Sequence, residues 1–481
     1  MAKAFPRRAA ALSLAALLAG CQLAPPHTRP DLPTASDYPA AYAGDVSIGQ
    51  RAVQIGWRDF FIDPQLEQLL ALALQQNRDL AISVAKIEEA RGLYRIQDAA
   101  RLPTLAGSAD ASRARTPGAL TGIPGAGAIE ASRYAVGVAV TGFEIDFWGR
   151  VRNLSDSARA QYFATEQAQR AFRLTLIRDV ASAYFARLEA IERADLAKAT
   201  LESRREGVRI ARLRLDAGVT SALDFRQAES LQTQAETELA SLQLARARSD
   251  NFLAVLVGGP LPDGLPAALP LAEQKNKATI AAGLPSELLV NRPDILAAEE
   301  RLRAARANVG AARAAFFPSV ALTGNVGFAS TDLGDLVGSD GFSWSFGPSI
   351  TLPIFDWGQR KGNLSVALAR EDIAIATYER TVQGAFREVS DALAGRRWLA
   401  EQVAAQKRAA EAQSAIAILA RTRYREGVAN YLEVLDAQRN LFIAEQTLTQ
   451  LQRNELENLV NLYVTLGGGA LEGGATAGQE R

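Results

Sequence analysis

Gly341-Phe342-Ser343-Trp344-Ser345-Phe346-Gly347-Pro348-Ser349-Ile350-Thr351-Leu352 sets large apolar residues against small or polar ones at nearly every second position. Successive strand side chains leave opposite faces, so this stretch reads as a strand with one apolar and one small-polar face. A soluble sheet resting on a core gives that alternation. So does a membrane barrel with lipid outside and water inside. The flanking sequence decides between them.

Upstream, residues 319–329 alternate in the same way: Val320, Leu322, Val326 and Phe328 point one way, and Ser319, Thr323 and Asn325 the other. Tyr134, Val136, Val138 and Val140 form a third such row, and its phase slips near Gly142, which predicts a bulge. A weak fourth strand begins at Thr104. Strands are therefore expected over about 104–114, 132–147, 319–330 and 341–355. Between them run proline-free stretches rich in Ala, Arg, Glu and Gln, at 151–215 and 362–424. Shorter helical patterns occupy 66–101, 222–257, 295–315 and 431–466. In the second long stretch Leu364, Leu368, Ile375, Tyr378, Val382, Phe386, Val389 and Leu393 recur at steps of three and four, interrupted at Glu371. That is the narrow stripe of coiled-coil packing. Some 64 residues of helix would extend about 96 Å, far beyond an ordinary globular helix. Strand pairs set between such rods favour a membrane barrel joined to a structure that bridges a distance.

The plan occurs twice. Asn77-Arg78-Asp79 answers Asn291-Arg292-Pro293-Asp294, Phe147-Trp148-Gly149-Arg150 answers Asp356-Trp357-Gly358-Gln359-Arg360, and Val257-Gly258-Gly259 answers Leu466-Gly467-Gly468. Ala211-Arg212, Arg214 and Gly218-Val219 answer Ala420-Arg421, Arg423 and Gly427-Val428. Such a period is too long for a solenoid unit and reads as a duplicated half-structure. The chain thus divides into 1–20, 21–64, a first repeat at 65–259, a Pro/Gly-rich connector at 260–290, a second repeat at 291–468 and a Gly-rich tail at 469–481. Each repeat reads helix–strand–strand–long helix–helix, the pattern of an α+β membrane protein.

Lys3, Arg7 and Arg8 precede a short apolar run that ends in Leu18-Ala19-Gly20-Cys21. A run that brief is a cleavable export signal, and small residues before a cysteine fit a lipobox with a lipid on Cys21. Cys21 is the only cysteine among 481 residues, so an exported fold has no internal disulfide. Removing the signal leaves 50 basic against 53 acidic residues, which excludes a strongly basic nucleic-acid binder. His27 is the sole histidine, so histidine-based acid–base catalysis and His/Cys metal sites lack their raw material. No catalytic residue, metal site or cofactor other than the covalent lipid is expected. No later apolar run is long enough for a membrane helix, so the mature chain meets a membrane through lipid or strands. Four strands cannot close a barrel, and open edges in lipid are prohibitive. The chain must oligomerise, two copies giving eight strands and three giving twelve.

Two other classes compete with a duct. A non-transporting coiled-coil lipoprotein has no use for the aromatic alternation at Phe342–Phe346. A carboxylate-dependent hydrolase needs paired acids in a pocket-like context, which is absent.

The lipobox, the duplicated plan, Asn291-Arg292-Pro293-Asp294 and the run Tyr424-Arg425-Glu426-Gly427-Val428-Ala429-Asn430-Tyr431-Leu432-Glu433-Val434-Leu435-Asp436-Ala437-Gln438-Arg439 together resemble the TolC-like outer membrane factor family, in its OprM-like (NodT-type) lipoprotein branch. The resemblance covers nearly the whole mature chain. It implies a homotrimer with a twelve-stranded outer-membrane barrel on a periplasmic α-helical barrel, and a small equatorial region that includes the connector. It also implies a passive exit duct for drugs, other small molecules or ions, supplied by a periplasmic adaptor and an inner-membrane pump of the RND class, with lipid but no nucleic acid as further partner.

By the same resemblance, Leu432 and Asp436 match residues that line the closed periplasmic aperture, and Tyr424 matches a tyrosine that keeps the helix ends coiled shut. Where TolC has an arginine in that network this chain has Ala429, so the latch must differ. Leu432, Glu433 and Asp436 are expected at the aperture, with Tyr424 held by first-copy partners near Asp224. Local chemistry offers plainer readings. Ser221 and Asn430 suit helix caps with Asp224 and Glu433 in capping-box positions, and Arg439 can pair with Asp436 along one helix face. Val326, Phe328, Trp344 and Phe346 are the expected lipid-facing residues.

Overall fold

The computed structural model describes residues 23–31, 33–39, 41, 49–120, 127–274, 280–281, 283 and 285–469. The signal, Cys21 and the tail beyond residue 469 lie outside the described residues. The chain divides into two compact units, one of residues 1–30, 87–165 and 298–378, the other of 31–86, 166–297 and 379–481. The main elements are α1 (Pro64–Gln76), α2 (Arg78–Ala99), β1 (Leu105–Thr116), β2 (Ile129–Ile145), α3 (Arg150–Asp216), α4 (Ala222–Val257), α5 (Pro293–Ala314), β3 (Ser319–Ser330), β4 (Phe342–Thr351), α6 (Gln359–Arg425) and α7 (Tyr431–Thr465). Among the described residues no helix is long and apolar enough to cross a membrane.

The first unit holds one antiparallel sheet in the order β1-β2-β3-β4. Its register sets Val326 opposite both Val138 and Trp344, Phe328 opposite Val136 and Phe342, and Phe346 opposite Gly324. Directly opposed residues share a face, so the large apolar residues of three strands line one side. Asn325 with Ser345, Thr323 with Gly347 and Ala321 with Ser349 line the other. The register breaks between Val140 and Phe143, and Gly142 takes φ 65 there, so the bulge returns Phe143 and Ile145 to the apolar face.

In α6 the apolar stripe is buried at Tyr378, Val382, Val389 and Leu393, whereas Leu368 stays exposed. The interruption at Glu371 has a cause, since its carboxylate accepts from the nearly buried Arg306 guanidinium of α5 at 3.1 Å.

One expected helix, over 66–101, is two. The chain turns at Asn77, whose backbone is extended in ψ at 128°. The Asn77 side chain accepts from the Leu80 amide at 2.8 Å and donates to the Leu256 carbonyl at 2.8 Å. It therefore caps α2 and ties it to the end of α4, which propensity over 66–101 could not reveal. At the Asn291-Arg292-Pro293 counterpart the chain likewise breaks before α5, where a short helix Leu288–Asn291 stops at an extended Arg292.

In the second unit the fully buried Asp63 caps α1, accepting from the Gln65 amide at 2.8 Å, the Tyr184 hydroxyl at 2.6 Å, the Leu269 amide at 3.1 Å and the Gln274 side chain. One carboxylate thus joins α1, α3 and the connector. Beside it Tyr463 stacks on Phe60 with ring centroids 4.1 Å apart. Replacing Asp63 with Ala strips several buried donors of their acceptor, at about 1–3 kcal/mol each. A loss of about 3–5 kcal/mol is expected as a lowered thermal midpoint by circular dichroism, with Asp63→Asn intermediate. An unchanged midpoint for Asp63→Ala would show the network to be dispensable.

Candidate gate at the helix tips

Two helical hairpins of the second unit, α3–α4 and α6–α7, end in the same turn. In the first, the Val219 amide donates to Arg214 O at 2.9 Å and the Gly218 amide to Leu215 O at 2.9 Å. In the second, Val428 donates to Arg423 O at 3.0 Å and Gly427 to Tyr424 O at 3.1 Å. Both are Schellman closures with a left-handed glycine, at φ 72 for Gly218 and 76 for Gly427. The turn leaves Val219 and Val428 exposed at the extremities.

Each hairpin carries a small core. Ala211, Phe225 and Ala228 pack together in the first, and Ala417, Ala420, Val434 and Ala437 in the second, with Tyr424 and Tyr431 against the latter. The two tyrosine rings lie 5.1 Å apart, and a Cβ on Gly207 of α3 would meet the Tyr431 hydroxyl at 2.5 Å. Alanine and glycine at these positions let the helices approach closely. Burial pushes the Tyr431 phenol above its usual range.

Polar contacts sort the expected site residues. Asp224 closes a full capping box with Ser221, and hydrogen bonds from Thr220 and Ser221 hold its carboxyl below the usual range. Its side chain serves the turn, not Tyr424. The partner of Tyr424 in the first copy is Arg214, whose guanidinium donates to the Tyr424 hydroxyl and lies 5.7 Å from its ring centroid. Asn430 caps α7 through the Glu433 amide at 3.0 Å. The Glu433 carboxylate turns away from the box to pair with Arg423 across the turn at 3.1 Å. Asp436 pairs with Arg439 at 2.9 Å, both side chains about half exposed at 48%. Leu432 is 41% exposed, and Leu223, its counterpart in the first copy, 66%.

Leu432 apart, the residues expected together thus fall into four separate pairings within one chain: Asp224 with Ser221, Tyr424 with Arg214, Glu433 with Arg423 and Asp436 with Arg439. Sequence reasoning missed Arg214 and Arg423 as partners. The signal was in the duplication, where both stand at matched positions before the turn glycines. Val326, Trp344 and Phe346 lie exposed on the apolar face of the sheet, and Phe328 is half-buried beneath Phe342. Among the described residues no cluster of His, Cys, Asp or Glu is placed to hold a metal ion.

A family model described as outer membrane efflux protein matches residues 69–259 and 284–468, one stretch in each copy. Among curated proteins the chain is 43% identical over 456 residues to the solvent efflux pump outer membrane protein SrpC of Pseudomonas putida, covering 94% of this chain and 96% of that one. It is 38% identical over 458 residues to the cation efflux system protein CusC of Escherichia coli, covering 95% and 97%. Among solved structures, the open state of the Neisseria gonorrhoeae MtrE outer membrane channel superposes with a TM-score of 0.86 at 40% identity, covering 95% of this chain and 100% of that one.

Proposed function

This chain belongs to the outer membrane efflux protein family, and on that premise we propose that three copies close their sheets into one twelve-stranded outer-membrane barrel. It is an efflux channel of the outer membrane that extends into the periplasm, and not an enzyme. The open sheet edges carry the trimer reading. Among the described residues β1 and β4 each lack a strand on one side, and unsatisfied backbone groups in hydrocarbon cost several kcal/mol each. Head-to-tail pairing of β1 with the β4 of the next copy satisfies both edges once the ring closes. Two copies would give eight strands, whose interior is just filled by side chains. Three leave a lumen, and the small residues opposite the apolar face line it.

The duct passively conducts what an inner-membrane pump of the RND class and a periplasmic adaptor deliver. Exposed Val219 and Val428 at the hairpin turns offer the adaptor an apolar grip. SrpC and CusC, named for solvents and for cations, align over almost the same length, which supports cargo choice lying with the pump.

Purified protein in a planar bilayer should conduct ions and sediment as three chains. Sedimentation as a dimer, or silent bilayers, would overturn the reading.

Cys21 carries the lipid anchor in this proposal, and Gln22 rather than aspartate follows it, which favours delivery to the outer membrane. Cys21→Ser should abolish fatty-acid labelling while the barrel still inserts. Undiminished labelling would sink the assignment.

A further inference from the structure

In the first unit a cavity of about 720 Å³ takes wall residues from α2, α3, α5 and α6. These helices lead into or out of β1, β2, β3 and β4, so they succeed one another in the order of the strands. Only a curved layer lets its two outermost helices wall one cavity, and the cavity lies on the concave side. The N-terminal segment takes another face of α5. There the Leu23 carbonyl accepts from Arg313, the Thr28 carbonyl accepts from Arg306, and Arg29 pairs with Glu299. On α5 the cavity takes Arg301, Ala305 and Asn308, a separate stripe from Glu299, Arg306 and Arg313.

The wall has an unusual composition for a surface that meets water. Leu93 is 58% exposed, Ile96 72% and Ile373 65%, and all three face the cavity. Its charged residues are Arg301 and Arg370 alone, and no carboxylate lines it. Neither guanidinium makes an ion pair among the described residues, whereas on α5 Arg303 pairs with Glu300 and Arg306 with Glu371. Two unpaired cations over exposed aliphatic side chains form a surface complementary to a molecule that is apolar at one end and anionic at the other.

We infer that this concave face is a binding site for amphiphilic anions, an apolar ring or chain lying on Leu93, Ile96 and Ile373 and its carboxylate or sulfonate reaching Arg301 and Arg370. The inference rests on the duct reading. In a closed ring of such layers the concave face is the lumen, which no neighbouring copy covers, so the site is a resting place for cargo in transit, repeated once per copy.

The test uses full-length protein in lipid nanodiscs, with empty nanodiscs subtracted, and three probes of one apolar body: naphthalene-2-sulfonate, 2-naphthol and 2-naphthylmethylammonium. By calorimetry the sulfonate should bind about tenfold more tightly than the other two, the scale that two exposed charge contacts supply. Arg301→Gln with Arg370→Gln should erase that margin. Arg301→Glu with Arg370→Glu should transfer it to the ammonium probe, which a merely structural role for the arginines would not do. Equal binding of sulfonate and naphthol in wild type, or a preference unmoved by the charge reversal, would overturn the site. Bilayer conductance of the same preparation separates the two failures. A conducting protein without anion preference loses only this site, whereas a silent one loses the duct.

Discussion

Phe346→Arg should abolish assembly of the trimer in the outer membrane, while Phe346→Leu should leave it intact. Phe346 is fifth of the ten residues of β4, 66% exposed, with Gly324 opposite and therefore no side chain to cover it. Arginine near the midplane of such a barrel costs about 2–4 kcal/mol. Three copies carry the change, so the trimer bears about 6–12 kcal/mol, comparable to the whole stability of a folded domain. Trp344→Arg, closer to the strand's start, should cost less per copy, since the penalty fades toward the interface. Ser345→Arg is the control: Ser345 sits on the other face opposite Asn325, where water receives the guanidinium. Heat-resistant trimers on gels of outer-membrane fractions give the readout. Equal tolerance of arginine at 345 and 346 would mean that the apolar face meets no lipid, and would remove the barrel from the reading.

That face was legible because strand periodicity is local: Phe342, Trp344 and Phe346 alternate with serines whatever lies beside them, and the phase slip near Gly142 marked a real register break. The length of α3 and α6 was legible for the same reason, since neither contains proline. The break at Asn77 was not. The Asn77 cap on the Leu80 amide is local, but the carbonyl of Leu256 that holds Asn77 in place lies nearly 180 residues away, and a tie made at that distance leaves no trace in local propensity. The candidate gate residues divide along the same line. Ser221 with Asp224, and Asp436 with Arg439, lie three residues apart and were foreseeable as local pairs. Arg214 with Tyr424 joins the two copies, and only the duplication hinted that Arg214 mattered. Glu433 shows the reverse error, because its capping-box spacing was right but Arg423, a charged partner across the turn, outcompetes a neutral backbone amide.

Loosening this inter-copy contact should open the resting channel. Arg214 and Tyr424 form a contact between the two hairpins of one chain at the exposed tips, worth about 1 kcal/mol in such a setting. Three copies together bias the closed state by about 3 kcal/mol, so Arg214→Ala or Tyr424→Ala should raise the resting open fraction about a hundredfold. Leu432→Ala should add to this by widening the constriction. Asp436 works against closure. Three like charges brought within about 4 Å repel by about 1–4 kcal/mol per pair, and the half-exposed Arg439 beside each contributes at most about 1 kcal/mol of relief. A closed ring therefore gains by holding cations, so the pore should prefer cations to anions, and millimolar divalent cations should plug it. Asp436→Ala should relieve that block, and Arg439→Ala should deepen it by leaving each acid without its neighbour. Single-channel recordings of wild type and these variants, with and without divalent cation, decide between the two readings of the acid. If Asp436→Ala changes neither block nor ion selectivity, and Arg439→Ala likewise does nothing, Asp436 is a solvated helix residue satisfied by Arg439, and the aperture lies elsewhere on the tips.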